Sequence, residues 1–297
     1  MTPFFLFEDF ENYLVSEKRF SEHTVTAYKI DLDQFLAFTD IKNRRDLLEV
    51  SPMLIRGWIV SLYDNKIAKK SINRKLSTLR TFFKWLQKNG EIEINPISKV
   101  QGVKAEKRLP SFAKVIEMEN DKLLNYFSDD FDGIRNKLIV EIFYQTGIRL
   151  SELIELKDKD IDSESIKVLG KRNKERKIPI SSDLYKIILE YKQLKTSLFN
   201  QSIHFFILKN GNKLYSKLVY RIINNYLGFV TNLDKCSPHV LRHTFATHML
   251  NNGAGLETLK ELLGHANLSA TQIYTHNSFT QLTNIYSQAH PRGHKKK

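Results

Sequence analysis

Residues 165–180 read Ser165-Ile166-Lys167-Val168-Leu169-Gly170-Lys171-Arg172-Asn173-Lys174-Glu175-Arg176-Lys177-Ile178-Pro179-Ile180, and they decide the fold class. Residues 165–169 alternate with the period of two of a half-buried strand, and the pattern returns from Arg176 to Ile180. Gly170-Lys171-Arg172-Asn173 between them is turn-like. This hairpin is expected inside a chain whose apolar residues otherwise recur mostly at helical spacing. On its N-terminal side helices are predicted over 120–127, 132–145 and 150–156. On its C-terminal side helices dominate from Asp183, with a short strand at 204–208.

Farther out, the first hundred residues read as four amphipathic helices, which suggests a small bundle. Phe10, Tyr13 and Leu14 share one face. Ser21 is the expected N-cap of a second helix carrying Val25, Tyr28, Leu32, Phe35 and Leu36. Ser51-Pro52 opens a third through Ile55, Ile59 and Leu62. The fourth starts near Ser71, carries Ile72, Leu76, Leu79, Phe83 and Leu86, and stops at Gly90. Asn95-Pro96 ends this unit, and the polar stretch from Ser98 to Ser111 reads as a linker. The expected organisation is a helical domain over 1–97, a linker over 98–111 and an α+β domain over 112–297.

Composition bounds the function. Of 297 residues, 46 are Lys or Arg and 33 are Asp or Glu, a net charge of +13, which points to a polyanionic partner. Residues 1–100 hold 16 basic and 13 acidic side chains, so most of the surplus falls in the second domain. Between Asn65 and Gly90 there are eight basic residues and no acidic one. An ordinary solvated face mixes signs; this one, with Ser77, Thr78 and Thr81 interleaved, suits a phosphate backbone. Lys69, Lys70, Arg74, Lys75 and Arg80 are the candidate DNA contacts. The single cysteine, Cys236, suits a reducing compartment. The short apolar start lacks a basic n-region, and no run approaches the roughly 18 apolar residues of a membrane span. A cytoplasmic, nucleoid-associated protein with no membrane contact is expected.

Three further stretches carry chemistry. Ser237-Pro238-His239-Val240-Leu241-Arg242-His243 reads as a helix start that puts His239 and Arg242 on one face, where unpaired N–H groups favour an anion. Thr146-Gly147-Ile148-Arg149-Leu150-Ser151-Glu152-Leu153 places an arginine just after a glycine turn, opening a helix. Leu263-Gly264-His265-Ala266 is followed, nine residues after His265, by Tyr274 in Ile273-Tyr274-Thr275-His276. Taken singly these allow a capping histidine, a surface ion pair and a packing tyrosine.

Together, Arg149, Lys171, His239, Arg242, His265 and Tyr274 resemble, in order and spacing, the catalytic set of the tyrosine recombinase (phage integrase) family. TGIRLSEL, HVLRHTFATHML and LGHANLSATQIYTH are especially similar to the Xer-type recombinases. SEHTVTAYKIDL resembles their core-binding domain and the terminal HPR their tail, so the resemblance covers nearly the whole chain. It implies an N-terminal SAM-like core-binding domain and a C-terminal α+β catalytic domain. It also implies an enzyme that cuts DNA through a 3′-phosphotyrosine on Tyr274 and rejoins it, with no metal, ATP or other cofactor. Arg149 and Arg242 would clamp the phosphate, and His239 would act as base. His265 would donate to the phosphate, Lys171 would be the general acid, and Glu152 would orient His239 or an arginine. The family's turn commonly reads Gly-Lys-Gly-Asn-Lys-Glu-Arg, and Arg172 stands here in place of the second glycine.

The implied partners are double-stranded DNA at a specific site, clamped between the two domains, and a homo- or hetero-tetramer with a sister recombinase or an activating DNA translocase. The tail, with Leu282, Ile285 and Tyr286, would dock into a neighbouring subunit. The expected use is resolution of chromosome dimers at cell division. Alternatives are an integrase or invertase of a mobile element, or a type IB topoisomerase, which the helical N-terminal domain and the tail disfavour. A catalytically silent DNA-binding protein would be expected to lack some of the six residues. A metal hydrolase built on His239, His243, His248 and His265 lacks the His-Glu-x-x-His spacing and has Arg242 in its midst.

Overall fold

A computed structural model describes residues 4–104, 111–118, 126–170, 174–199, 202–264 and 276–293. The chain forms two compact units, Met1–Arg108 and Leu109–Lys297, each with its own apolar core.

The first unit contains α1 (Phe4–Ser16), α2 (Glu22–Thr39), α3 (Arg44–Leu48), α4 (Pro52–Asp64) and α5 (Lys69–Lys88). Its core joins Phe10, Leu14, Leu32, Phe35, Ile55, Trp58, Leu76 and Phe83, with Phe35 edge-on to Trp58 at 5.1 Å. The faces legible in the sequence are the ones buried. Ser51 caps α4, accepting from the Leu54 N–H at 3.2 Å. Ser21 precedes α2 without capping it, and its hydroxyl lies 2.9 Å from that of Thr24 instead. Helix α3 was not expected, because five residues are too few to show periodicity; Asn43 caps it through the Asp46 N–H. Residues 98–103, read as linker, pack on α5. Val100 is buried, the Asn73 amide donates to the Val103 carbonyl at 2.8 Å, and Asn73 Oδ1 accepts from the Val103 N–H at 2.9 Å.

The second unit is built on α6 (Phe131–Thr146), whose last nine residues are all buried. A helix apolar nearly all round needs partners on every side. It packs against α10 (Pro238–Asn251), α8 (Ser182–Leu198) and α9 (Ser216–Val230). Asp130 caps its start through the Gly133 N–H at 2.9 Å. Short α7 (Leu150–Glu155) follows. Then β1 (Ser165–Leu169) pairs antiparallel with β2 (Glu175–Pro179), so that Val168 faces Arg176. Gly170 N–H to the Lys174 carbonyl, 2.8 Å, closes the ladder. Residues 204–208 form no strand. They make two isolated bridges, Lys157 with His204 and Ile207 with Lys213, around fully buried Phe205 and Phe206. Helix α11 (Leu256–Leu263) completes the core. The expected helix over 120–127 falls largely outside the described residues.

Helix α12 (His276–Ala289) packs on α10, α11 and β2 of its own chain, burying Leu282, Tyr286 and Ala289 in the same core. The expected docking of this tail into a neighbour is therefore not the arrangement of the single chain, whose own core offers the apolar face a seat. Among the described residues no helix is long and apolar enough to cross a membrane.

Candidate active site

The site forms where α6, α7, α10, α11 and the hairpin meet. Helix α6 ends on Gly147 at φ +59°, where an added Cβ would lie 2.5 Å from the Phe245 ring and 2.9 Å from Leu263, so only glycine turns the chain here. Arg149 is then the N-cap residue of α7, and its N–H donates to Glu152 Oε2 at 2.9 Å. Arg149 Nη1 donates to Glu152 Oε1 at 2.7 Å, and Nη2 to the Gly264 carbonyl at 2.7 Å.

Arg242, on the first turns of α10, donates to the Gly147 carbonyl at 2.5 Å and the Leu263 carbonyl at 2.6 Å. Ser237 precedes that helix, with Pro238 at its first position, but makes no side-chain cap. His239 is exposed, three residues before Arg242.

A third guanidinium was read in the sequence only as the start of a strand. Arg176, on β2, is buried; its Nη1 and Nη2 each donate to one Glu152 oxygen at 2.8 Å, and its Nε donates to the Leu262 carbonyl at 2.8 Å. The legible signal was a cation at an inward position of an alternating strand, opposite Val168. Three consecutive carbonyls at the C-terminal end of α11 (Leu262, Leu263 and Gly264) thus each receive one arginine: Arg176, Arg242 and Arg149. The negative end of a helix dipole favours these cations.

The electrostatics follow. Burial opposes ionisation of Glu152, but the Arg176 fork and then Arg149 outweigh it and hold the carboxyl down at about 2. Burial lowers Arg242 to about 10, and the like charges of Arg149 and Arg176 add to this. A guanidinium group is a permanent cation, so the site sets three positive charges beside one carboxylate. Glu152 serves two arginines; of the two roles expected for it, orienting an arginine is the one the hydrogen bonds display, and none of these reaches His239.

Lys171, His265 and Tyr274 lie outside the described residues. Gly170 and Gly264, which precede Lys171 and His265 in the sequence, lie at the cluster. A Cβ on Gly170 would be 3.5 Å from Arg176 Nη1 and 3.8 Å from Glu152 Oε1, and one on Gly264 would be 3.0 Å from Arg176 Nη1. His248, one of the histidines weighed as a metal ligand, is buried; its Nδ1 lies 3.2 Å from the Tyr144 hydroxyl and its Nε2 2.9 Å from the Ala113 carbonyl.

On α5, Lys69, Lys70, Arg74 and Arg80 are exposed, and Arg80 reaches the Val100 carbonyl at 3.2 Å. Lys75 is not: it is buried, its ammonium 2.9 Å from Asp31 and bonded to Gln34. It stands one residue before Leu76 on the inward face, where the acidic partner that single-signed α5 lacks is supplied by α2. Lys75 is thus corrected from DNA contact to buried ion pair.

The phage integrase family matches residues 114–281, and its N-terminal SAM-like domain matches residues 7–90. A protein named tyrosine recombinase XerC from Thermodesulfovibrio yellowstonii is 40% identical over 296 residues, covering 97% of this chain and 96% of its own. One of the same name from Staphylococcus epidermidis is 39% identical over 292 residues, with 97% and 98% covered. Among solved structures, XerH recombinase bound to its difH substrate superposes with TM-score 0.70 at 23% identity, covering 89% of this chain and 79% of that one. A lambda integrase dimer bound to a core site gives 0.69 at 18% identity, covering 100% and 99%. At that identity they show the likeness of fold: helical N-terminal domain and mainly helical catalytic domain with a small sheet.

Proposed function

Since the chain belongs to the phage integrase family, as a Xer-type site-specific tyrosine recombinase, we propose that Arg149 and Arg242 receive the scissile phosphate. DNA breaking and rejoining at specific sites is the activity of this enzyme. The observation that carries the residue assignment is the convergence of both guanidinium groups on the adjacent carbonyls of Leu263 and Gly264, the two residues that precede His265 in the sequence.

The Tyr274 oxygen attacks phosphorus and the bond to the 5′-oxygen breaks. His239 takes the phenolic proton, Lys171 supplies one to the leaving oxygen, and His265 donates to a non-bridging oxygen. The phosphodiester energy is kept in the 3′-phosphotyrosine, so rejoining needs only the reverse attack by a 5′-hydroxyl. Preorganised guanidinium charge matches the negative charge that develops on the non-bridging oxygens. Residues 1–97 would form the core-binding domain, 98–111 the connection and 112–297 the catalytic domain, both domains engaging one duplex. Lys69, Lys70, Arg74 and Arg80 would meet its backbone. Four protomers, of one kind or with a sister recombinase and under a DNA translocase, would resolve chromosome dimers on the nucleoid. The family relationship to proteins named XerC favours this use over a mobile element's.

Incubation with nicked suicide duplexes carrying candidate sites, followed by a denaturing gel, tests the reading. The wild type forms a protein–DNA adduct and Tyr274→Phe binds without forming one; an adduct with the phenylalanine variant would overturn the assignment.

A further inference from the structure

We propose that Arg176 is a positioning residue for the cleavage reaction: it absorbs the charge of Glu152, so that Arg149 and Arg242 keep theirs for the phosphate. This rests on the reading that those two arginines receive the scissile group.

Arg176 is too buried to meet DNA itself, with 4% of its side chain exposed against 25% for Arg149. All its described bonds point inward: both Nη atoms to Glu152 and Nε to the Leu262 carbonyl. Among the described residues, three guanidinium groups and one carboxylate leave the cluster at +2. Without Arg176 the surplus halves, and among the described residues the only strong partner left to Glu152 is Arg149. A phosphate would then compete with a buried carboxylate for the same guanidinium fork, at low dielectric where that competition is strongest.

Arg176 also sets geometry. Its Nε holds the first of the three carbonyls whose next two orient Arg242 and Arg149. Gly264, at φ +63°, lies against it, so that a Cβ there would sit 3.2 Å from Arg176 Cδ and Cζ. Through β2 the same side chain anchors the hairpin whose two strands flank Lys171 in the sequence. One buried arginine thereby links the hairpin, the end of α11 and the start of α7.

Arg176→Met and the double variant Arg176→Met/Glu152→Gln are compared with wild type for adduct formation on the suicide duplex, DNA affinity and melting temperature. Arg176→Met is expected to slow adduct formation by about tenfold or more with DNA affinity little changed. The double variant, which restores the +2 surplus, recovers most of that loss. On a duplex whose scissile phosphate is a methylphosphonate, lacking the non-bridging charge, the deficit of Arg176→Met shrinks; a purely structural role would leave it the same. Wild-type rates in Arg176→Met, or a folded double variant no faster than the single one, would overturn the proposal. If Arg176→Met does not melt cooperatively, the double variant decides: a rate within about tenfold of wild type upholds the proposal and a deeper loss overturns it. A wild type forming no adduct counts against the parent reading instead.

Discussion

Each unit holds a carboxylate buried among several basic side chains, Asp31 in the first and Glu152 in the second, and the two clusters are built to different ends. Asp31, on α2, is fully buried and accepts from both Nη atoms of Arg74 at 2.5 and 2.7 Å, from Lys75 at 2.9 Å and from Thr78 at 2.9 Å, all on α5. It is a joint between two helices, with Arg74 half in solvent. Glu152 binds Arg149, the N-cap of α7, and Arg176 of β2, and a third arginine, from α10, has only backbone carbonyls as hydrogen-bond acceptors among the described residues. In the first cluster the carboxylate gathers its cations; in the second the arginines are spread along backbone carbonyls and their surplus charge stays available. A buried ion pair thus speaks of function only when some of its charge is left over and the donors come from different elements.

The sharpest way to break that contrast is to remove one arginine from the second cluster. Arg242→Ala should cut adduct formation by about a hundredfold to a thousandfold, with binding retained, in parallel gel and affinity assays. A variant cleaving near the wild-type rate would reduce the second cluster to a joint like the first. The matching change in the first unit, Asp31→Ala, leaves Lys75 buried without its carboxylate and should destabilise that unit by about 3 kcal/mol or more, read by chemical denaturation. Cleavage per bound complex should be unchanged.

The two clusters were not equally legible. Arg149 and Arg242 could be picked out because a glycine turn and a helix start mark them, whereas Glu152 stood out only through the resemblance to the family's motif. Arg176 was hidden, since a cation in a strand reads as an outward residue until the register puts it opposite buried Val168. Lys75 misled for the complementary reason: its partner, Asp31, is 44 positions away on another helix, and pattern reading pairs neighbours. The helices of the first unit were plain because aromatic and aliphatic residues recur on one face, whereas α3 and the unpaired run 204–208 depend on tertiary contacts that no local period encodes.

Acid should separate the units as well. The first holds one histidine, His23, which is exposed. In the second, His290 is buried, with Nε2 donating to the Tyr144 carbonyl at 3.2 Å and Nδ1 accepting from the Arg292 N–H at 3.1 Å. Only a neutral ring satisfies both bonds. Burial pushes its pKa down to about 3, and Arg292 and His248 nearby also disfavour a second proton. A base with a depressed folded pKa contributes stability that is full above its unfolded value, about 6.5, and is lost as pH falls toward the folded one. Melting of the second unit should therefore weaken from about pH 6.5 downward, by at most about 1.4 kcal/mol per pH unit from this group. His290→Phe should flatten that slope; an unchanged slope would remove the tail from the account. Glu152, with its pKa lowered to about 2, adds a loss only below about pH 4.5.

The smallest effect probes whether Arg74 is joint alone or also DNA contact. Asp31 takes one hydrogen from each Nη, and a guanidinium has five N–H groups, so three can face outward from a half-exposed side chain. If one of them meets a phosphate, Arg74→Met should lower the slope of log affinity against log salt by about 0.9, as Lys70→Met should from its exposed place on the same helix. Lys75→Met, buried against the same carboxylate, should leave the slope alone while lowering the melting temperature. A slope unchanged in Arg74→Met would class Arg74 with Lys75 and make the first cluster wholly internal. A reduced one would make Asp31 the group that aims a phosphate contact from behind, as the α11 carbonyls aim Arg149 and Arg242.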